Sequence, residues 1–367
     1  MVCGKAGIYG HVNLVAFAEK ILRKHALIRA VFESIVRKFR RFEHRISEYH
    51  TRKALLELER AVLASSKRAG LTASILKQAF QYADALERLQ KWVPRAEQSH
   101  IAQVATQISK GKLERDLFNS DRSRAPIWHL RHGSFKFPEK NSAWVLSNEI
   151  LVNEDYFFET ESPRPLILDG GSHVGLSIWY LKQLHPSARI IGFEPDPEIR
   201  DIALQNIEAT GLEDVELLPY ALAGHDGPIE FFSAQNDSMA SNLTRRSRPN
   251  EQYTRRIVEG KRLSGWLNMP VDLLKLDIEG AEDEVIAECG EALRNVNFIF
   301  IEYHQDASSG SGRLATILGV LDSQGFTVNV GKSWGHQART QYRPFSHVLA
   351  PYSGVIWARN TCWNQSP

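Results

Sequence analysis

Two apolar runs in the second half of this 367-residue chain each end on side chains that can move protons or hold cations. Val271–Leu276 is followed by Asp277 and Glu279, and Phe298–Ile301 by Glu302 and His304. Short apolar runs of this kind read as buried strands, so the three acids and the imidazole stand at neighbouring strand ends. There they can converge on one acceptor atom and take its proton, the work a positioned carboxylate or imidazole does. A second polar set lies upstream. Leu166-Ile167-Leu168 ends on Asp169 and runs into the turn Gly170-Gly171-Ser172-His173-Val174-Gly175. The run Ile190-Ile191-Gly192-Phe193 ends on Glu194, 19 residues beyond Gly175. Glycines let the backbone turn tightly and approach a ligand, which unpaired N–H groups at a helix start can also meet. A carboxylate closing the second strand at that distance is placed to accept hydrogen bonds from a ribose diol. A nucleoside-type ligand follows from the combination. The plainer readings are a structural turn with a surface glutamate, a packing histidine at 304, and an Asp277 that caps a helix beginning near Ala281.

Positioning these groups takes strands and helices in alternation. Leu176–Leu184 is amphipathic, and Pro197 suits the first turn of a helix through Ala209 that Gly211 ends. Val215–Leu218 is the third strand. Tyr220-Ala221-Leu222-Ala223 emerges from its end, with Ala221 where an adenine ring would lie against backbone. A short extra strand, Ile229–Phe232, and a short helix around Trp266 precede Val271–Leu276. Helices Ala281–Cys289 and Arg313–Gln324, with strands Phe326–Val330 and Gly354–Arg359, complete the pattern. The expected fold class is α/β: a Rossmann-like, mostly parallel sheet covered on both faces, preceded by an all-α region.

The ligand is narrowed by the acid before the glycines. Asp169 is less expected where a pyrophosphate must bind, which speaks against a nicotinamide-dependent oxidoreductase with its G-x-G-x-x-G spacing. It suits a ligand carrying ammonium and sulfonium charge, which points to S-adenosyl-L-methionine. His173 sits inside the turn with a charge that depends on pH. The expected cofactor contacts are Asp169, Gly171, His173, Gly175, Glu194 and Ala221.

At these residues the sequence resembles the FkbM family of S-adenosylmethionine-dependent methyltransferases. The resemblance rests on Asp169–Gly175, on Phe193-Glu194-Pro195-Asp196-Pro197, on Lys275-Leu276-Asp277-Ile278-Glu279-Gly280-Ala281-Glu282 and on Glu302-Tyr303-His304, and covers residues 150–335. His173 departs from the asparagine usual in the family. What the resemblance implies is a class I methyltransferase that O-methylates a hydroxyl of a sugar, glycan or related metabolite. His304 is the expected base, with Glu302 or Asp277 orienting it and Glu279 beside them. Carboxylates and a histidine at strand ends could also hold Mg²⁺. Nothing in the sequence fixes that geometry, and no metal is assigned.

The N-terminal third lies outside the resemblance. Ile28, Phe32, Ile35, Phe39, Phe42, Ile46 and Tyr49 recur at spacings of four and three within a long helical stretch, residues 12–70. They read as a coiled-coil contact, within a hairpin or between two chains of a homodimer, or as an ordinary buried helix face. Residues 1–70 carry 15 Lys/Arg against 6 Asp/Glu, which leaves the rest of the chain at −7. The glycine-loop half is therefore no nucleic-acid surface in its average charge. Arg37-Lys38-Phe39-Arg40-Arg41 could touch an anionic membrane surface or simply face solvent. With 43% hydrophobic and 24% charged residues and three scattered cysteines, a soluble cytoplasmic protein is expected. The expected domains are a helical region, 1–120, a linker and aromatic lead-in, 121–165, and the methyltransferase domain, 166–360. The rival from another class is a non-catalytic scaffold working through the N-terminal helices.

Overall fold

The computed structural model describes residue 92 and residues 127–130, 133–235, 238–243, 252–305, 312–334 and 352–363. The expected N-terminal helices, with their heptad seam and basic cluster, lie outside them. The chain divides into two compact units, residues 1–122 with 128–131, and residues 123–127 with 132–367. Of the first, Trp92 is buried and Trp128–Leu130 belong to the strand β1 (Ile127–Leu130). Among the described residues no helix is long and apolar enough to cross a membrane.

The second unit is built on a seven-stranded sheet. Its strands are β3 (Leu166–Gly170), β4 (Arg189–Phe193), β5 (Val215–Leu218), β9 (Val271–Leu276), β10 (Val296–Gln305), β11 (Phe326–Trp334) and β12 (Tyr352–Asn360), ordered β11-β12-β10-β9-β3-β4-β5. The five strands from β10 to β5 are parallel, and β12 inserts antiparallel between β10 and β11. The chain leaves β3 outward through β4 and β5, then returns to β9 on β3's other side. The order therefore reverses between β3 and β9, where open α/β sheets form a crevice at the strands' carboxyl ends. Every residue of β3 and β9 is buried, as continuous apolar runs in a doubly covered sheet must be.

Side chains alternate between the faces with period two. Leu168, Ile191, Leu274, Ile299 and Ile301 join one cluster with Val285 and Ile286 of α4 (Glu282–Cys289) and Ile317 and Leu321 of α5 (Gly312–Ser323). The opposite face takes Phe298 and Phe300, against which Phe158 and Tyr156 of the lead-in pack at 5.8 and 4.7 Å between rings. The lead-in aromatics thus floor the sheet. None of Phe135, Phe137, Tyr156, Phe157 and Phe158 lines the cavity described below. Buried Asp272, at the start of β9, ties the lead-in down by accepting from Thr160 Oγ1 (2.7 Å) and from Leu166 N (3.0 Å).

The lead-in itself holds β2 (Gly133–Lys136), α1 (Lys140–Ser147) and a single turn of π-helix at Asn148–Val152. α2 (Leu176–Leu184) and α3 (Pro197–Ala209) begin and end as their sequence signals require. Gly175 lies at φ +82°, and Asp196 caps α3 by accepting from Glu198 N, with Pro197 in the first turn. A small second sheet joins β6 (Tyr220–Leu222), β7 (Gly227–Ala234) and β8 (Tyr253–Lys261) in the order β6-β8-β7. The sequence showed β7 only as a short strand and missed β8. Its run Thr254-Arg255-Arg256-Ile257-Val258-Glu259 is half charged and largely exposed, so it lacks the apolar run that marks a buried strand. Around Trp266 there is a 3₁₀ turn, Leu263–Trp266, where a short helix was expected.

Candidate active site

The glycine turn is fixed from beneath. Gly171 N and Ser172 N both donate to Phe193 O at 3.0 Å, stitching the end of β3 to the end of β4. Gly171 lies at φ +76°, and a Cβ there would stand 1.8 Å from Asp277 O. No other residue type fits, because the turn presses against the backbone at the end of β9.

Asp169 does not face the ligand side. It is wholly buried, accepts from Ser177 Oγ at 2.6 Å and lies 3.4 Å from Lys275 Nζ. Lys275 in turn donates to Gly170 O (3.1 Å) and Gly171 O (2.7 Å) and lies 3.8 Å from Asp277 Oδ2. Burial opposes a charged lysine here, but Asp169 and Asp277 outweigh it and raise its pKa, so Lys275 stays an ammonium. The negative charge of Asp169 is spent on holding the turn. The expectation that it attracts the ligand's cation is corrected accordingly.

A cavity of about 430 Å³ opens at the carboxyl ends of β3, β4, β9 and β10. One part is walled by Phe193, Ile199, Tyr220, Ala221, Leu222 and Phe231, the other by Glu149, Asp277, Glu279, Glu302, His304 and Ser353, with Gly171, His173 and Glu194 also lining it. Of the expected cofactor contacts, Gly171, His173, Glu194 and Ala221 line the cavity; Asp169 and Gly175 do not. All four expected catalytic residues do.

Glu194 is aimed by backbone. Its Oε2 accepts from His173 N and its Oε1 from Asp196 N, both at 2.9 Å. Burial pushes its carboxyl up to about 8, further than these two hydrogen bonds pull it down. His173 makes its contact by adopting φ +48°, a left-handed conformation uncommon for a side-chain-bearing residue. Its Nε2 lies 2.8 Å from Ser238 Oγ, which donates its own proton to Glu139 Oε1 at 2.7 Å. The network therefore assigns the hydrogen to Nε2 and leaves Nδ1, which has no hydrogen-bond partner, as a bare acceptor. Burial and the nearby Lys275 press the imidazole down to about 3, so it is neutral across the physiological range rather than switching with pH.

At the other end, Asp277 is no helix cap. α4 starts at Glu282, and its N-cap residue Ala281 makes no side-chain cap. The loop between β9 and α4 carries Glu279 at φ +57°, which turns its carboxylate toward His304. His304 is 7% exposed, with Nδ1 3.1 Å from Glu282 Oε1 and Nε2 3.5 Å from Glu279 Oε2 and 3.6 Å from Glu302 Oε1. Glu282 is itself anchored, accepting from Gly280 N (2.9 Å) and Ile278 N (3.3 Å). The orienting partner of His304 is therefore Glu282, not Glu302 or Asp277. Burial works against an imidazolium, but Glu279, Glu282 and Glu302 together prevail and hold the ring up at about 10. A ring already protonated at neutral pH accepts no further proton, which corrects the expectation that His304 is the base. Burial, then Asp277, raises the Glu302 carboxyl well above the usual carboxylate range.

Sequence reasoning missed Glu149. It sits on the π-helical turn, a form frequent at functional sites, and its carboxyl pKa is raised by burial and then by Glu302 and Asp277. No motif marks it, since it meets those residues only across the folded cavity.

A profile of the Methyltransferase FkbM domain matches residues 169–328. The 2-O-methyltransferase NoeI of Sinorhizobium fredii is 31% identical over 194 residues, covering 48% of this chain and 79% of that protein. Methyltransferase sdnD of Sordaria araneosa is 29% identical over 192 residues, 43% of this chain and 74% of that one. Hexuronic acid methyltransferase AglP of Haloferax volcanii is 30% identical over 142 residues, 38% of this chain and 56% of that one. A solved FkbM methyltransferase from Methylobacillus flagellatus superposes with a TM-score of 0.37 at 12% identity, over 78% of this chain and 60% of that one. With NoeI matched over most of its length, and the family's own domain spanning the glycine turn, Glu194 and the two acidic strand ends, this chain belongs to the FkbM methyltransferase family.

Proposed function

We propose that the protein moves a methyl group from S-adenosylmethionine to a hydroxyl of a sugar, glycan or related metabolite. The observation that carries this reading is the cavity's division. A carboxylate held by two backbone N–H groups stands beside an apolar wall, and a cluster of acids with one histidine closes the far end. The volume is within the range of ligand pockets, roughly 300–1,000 Å³. Glu194 fits the ribose hydroxyls, the wall of Ile199, Ala221, Leu222 and Phe231 fits the base, and Gly171 with Asp277 borders the amino-acid end. Two relatives bear names that speak of 2-O-methylation and of a hexuronic acid, which supports a carbohydrate acceptor.

Bound there, S-adenosylmethionine supplies an electrophilic methyl group. The chain's part is to align the acceptor and receive its proton. Alignment alone is worth about 7–11 kcal/mol in well-oriented reactions. Glu302 is the proton acceptor in this scheme: it stands near the carboxyl end of β10 and lines the cavity, and its ionised form, which gains population as pH rises toward its raised pKa of about 8, takes the acceptor's proton. His304, anchored to Glu282, fixes the neighbouring carboxylates. Titration of the purified protein with S-adenosylmethionine and with NAD, followed by transfer of labelled methyl to sugar nucleotides, lipid-linked glycans and small hydroxylated metabolites, tests the scheme. Binding of NAD alone would end it. Glu302→Gln is expected to keep cofactor affinity and lower turnover by roughly 10²–10⁴-fold.

A further inference from the structure

We propose that Asp277, Glu279 and His304 form a site for one divalent cation, of the Mn²⁺ or Mg²⁺ kind, at the acceptor end of the cavity. One donor atom from each of the three lies within 4.8 Å of the others. Donors sharing an ion at bond lengths of about 2.0–2.5 Å stand roughly 3–5 Å apart, so all three can reach one centre. The 3.5 Å separation of His304 Nε2 from Glu279 Oε2 is long for a hydrogen bond, but suits donors flanking a common ion.

The support behind the histidine points the same way. Its Nδ1 meets Glu282, which is 1% exposed and locked by two backbone N–H groups, so Nδ1 keeps its hydrogen and Nε2 is the nitrogen that gives up its proton to solvent when an ion takes its place. A carboxylate behind an imidazole is how metal-binding histidines are oriented. Independently, Glu149 brings another carboxylate to the same space from the π-helical turn. The nearest ammonium, Lys275, is engaged by Asp169 and the carbonyls of Gly170 and Gly171 and faces only Asp277. An ion here leaves coordination positions open to neighbouring oxygens of an acceptor, while Glu302 remains to take the proton. The ion's part in catalysis rests on the methyl-transfer reading, whereas its binding does not.

Full-length protein, freed of metal with a chelator, is titrated with Mn²⁺ while free Mn²⁺ is followed by electron paramagnetic resonance. One equivalent is expected to bind and to be displaced by Mg²⁺. Glu279→Gln and His304→Ala should each weaken binding at least tenfold, and Glu282→Gln by about 10–100-fold. Retained binding of S-adenosylmethionine by Glu279→Gln, within threefold of wild type by calorimetry, shows that the variant is folded; His304→Gln serves in its place should it not be. Lack of saturable Mn²⁺ binding up to about 1 mM in protein that binds S-adenosylmethionine overturns the site and leaves the methyltransferase reading standing. Equal Mn²⁺ affinity in wild type and both ligand variants overturns it as well.

Discussion

Glu194 shows how much of a site's behaviour depends on what surrounds one side chain. A strand-terminal glutamate was visible in the sequence, but its two backbone donors and its burial were not, since they come from His173 and Asp196 in the folded turn. Hydrogen bonds to a charged group contribute about 1.5–3 kcal/mol, so Glu194→Ala should weaken S-adenosylmethionine binding roughly 10–100-fold. The ionised carboxylate is the form that accepts two ribose hydroxyls. With its pKa raised to about 8, affinity should tighten as pH rises toward 8 and level off above it. Calorimetry across that range, with Glu194→Gln reporting any titration of the ligand itself, checks the sign. A wild-type profile that parallels Glu194→Gln would remove Glu194 from the ribose contact. Asp169 teaches the converse. Its position before the glycines suggested ligand contact, and only the fold shows that Lys275, 106 residues away, takes up its charge.

At the level of elements, the β3 turn was legible because its glycines answer to local geometry. What the sequence did not show is which glycine is constrained by a distant neighbour. Gly171 and Gly211 share a left-handed backbone, at φ +76° and +63°, but a Cβ on Gly211 meets nothing within 4 Å, while one on Gly171 meets Asp277 O at 1.8 Å. Gly211→Ala should therefore cost only the conformational term, on the order of 1 kcal/mol. Gly171→Ala adds a clash that must push β3 and β9 apart under the cavity, and should cost at least 1–3 kcal/mol more, roughly, and abolish cofactor binding. Urea unfolding of the two variants side by side separates the terms, and equal losses would show that the close approach to Asp277 does not hold in solution. The π-helical turn at Asn148–Val152 was illegible for a different reason. It has no period of its own, and Glu149 acquires meaning only opposite Glu302.

Across the whole sheet, the parallel strands were readable from their apolar runs, but the order was not, because strand pairing is set by contacts far apart in sequence. The last strand is the instructive case. β12 returns from the end of the chain to lie between β10 and β11, pairing Ile301 with Ile356 and His304 with Ser353. The strand that carries Glu302 and His304 is thereby held on one side by β9 and on the other by the final segment of the chain. Asn360 extends the hold, its side chain donating to Arg294 O and Val296 O at the start of β10. Ile356 is fully buried in the cluster shared by β10, α4 and α5, and lies several residues along the strand from Ser353 at the cavity edge. Ile356→Ala should lower stability by about 2–5 kcal/mol through the cavity it leaves. The molecules still folded should bind S-adenosylmethionine as wild type does, since no cavity-lining atom is removed. Urea midpoints against calorimetric affinity in native buffer make the comparison. Loss of affinity without loss of stability would mean that β12 shapes the site directly rather than bracing the strand that does.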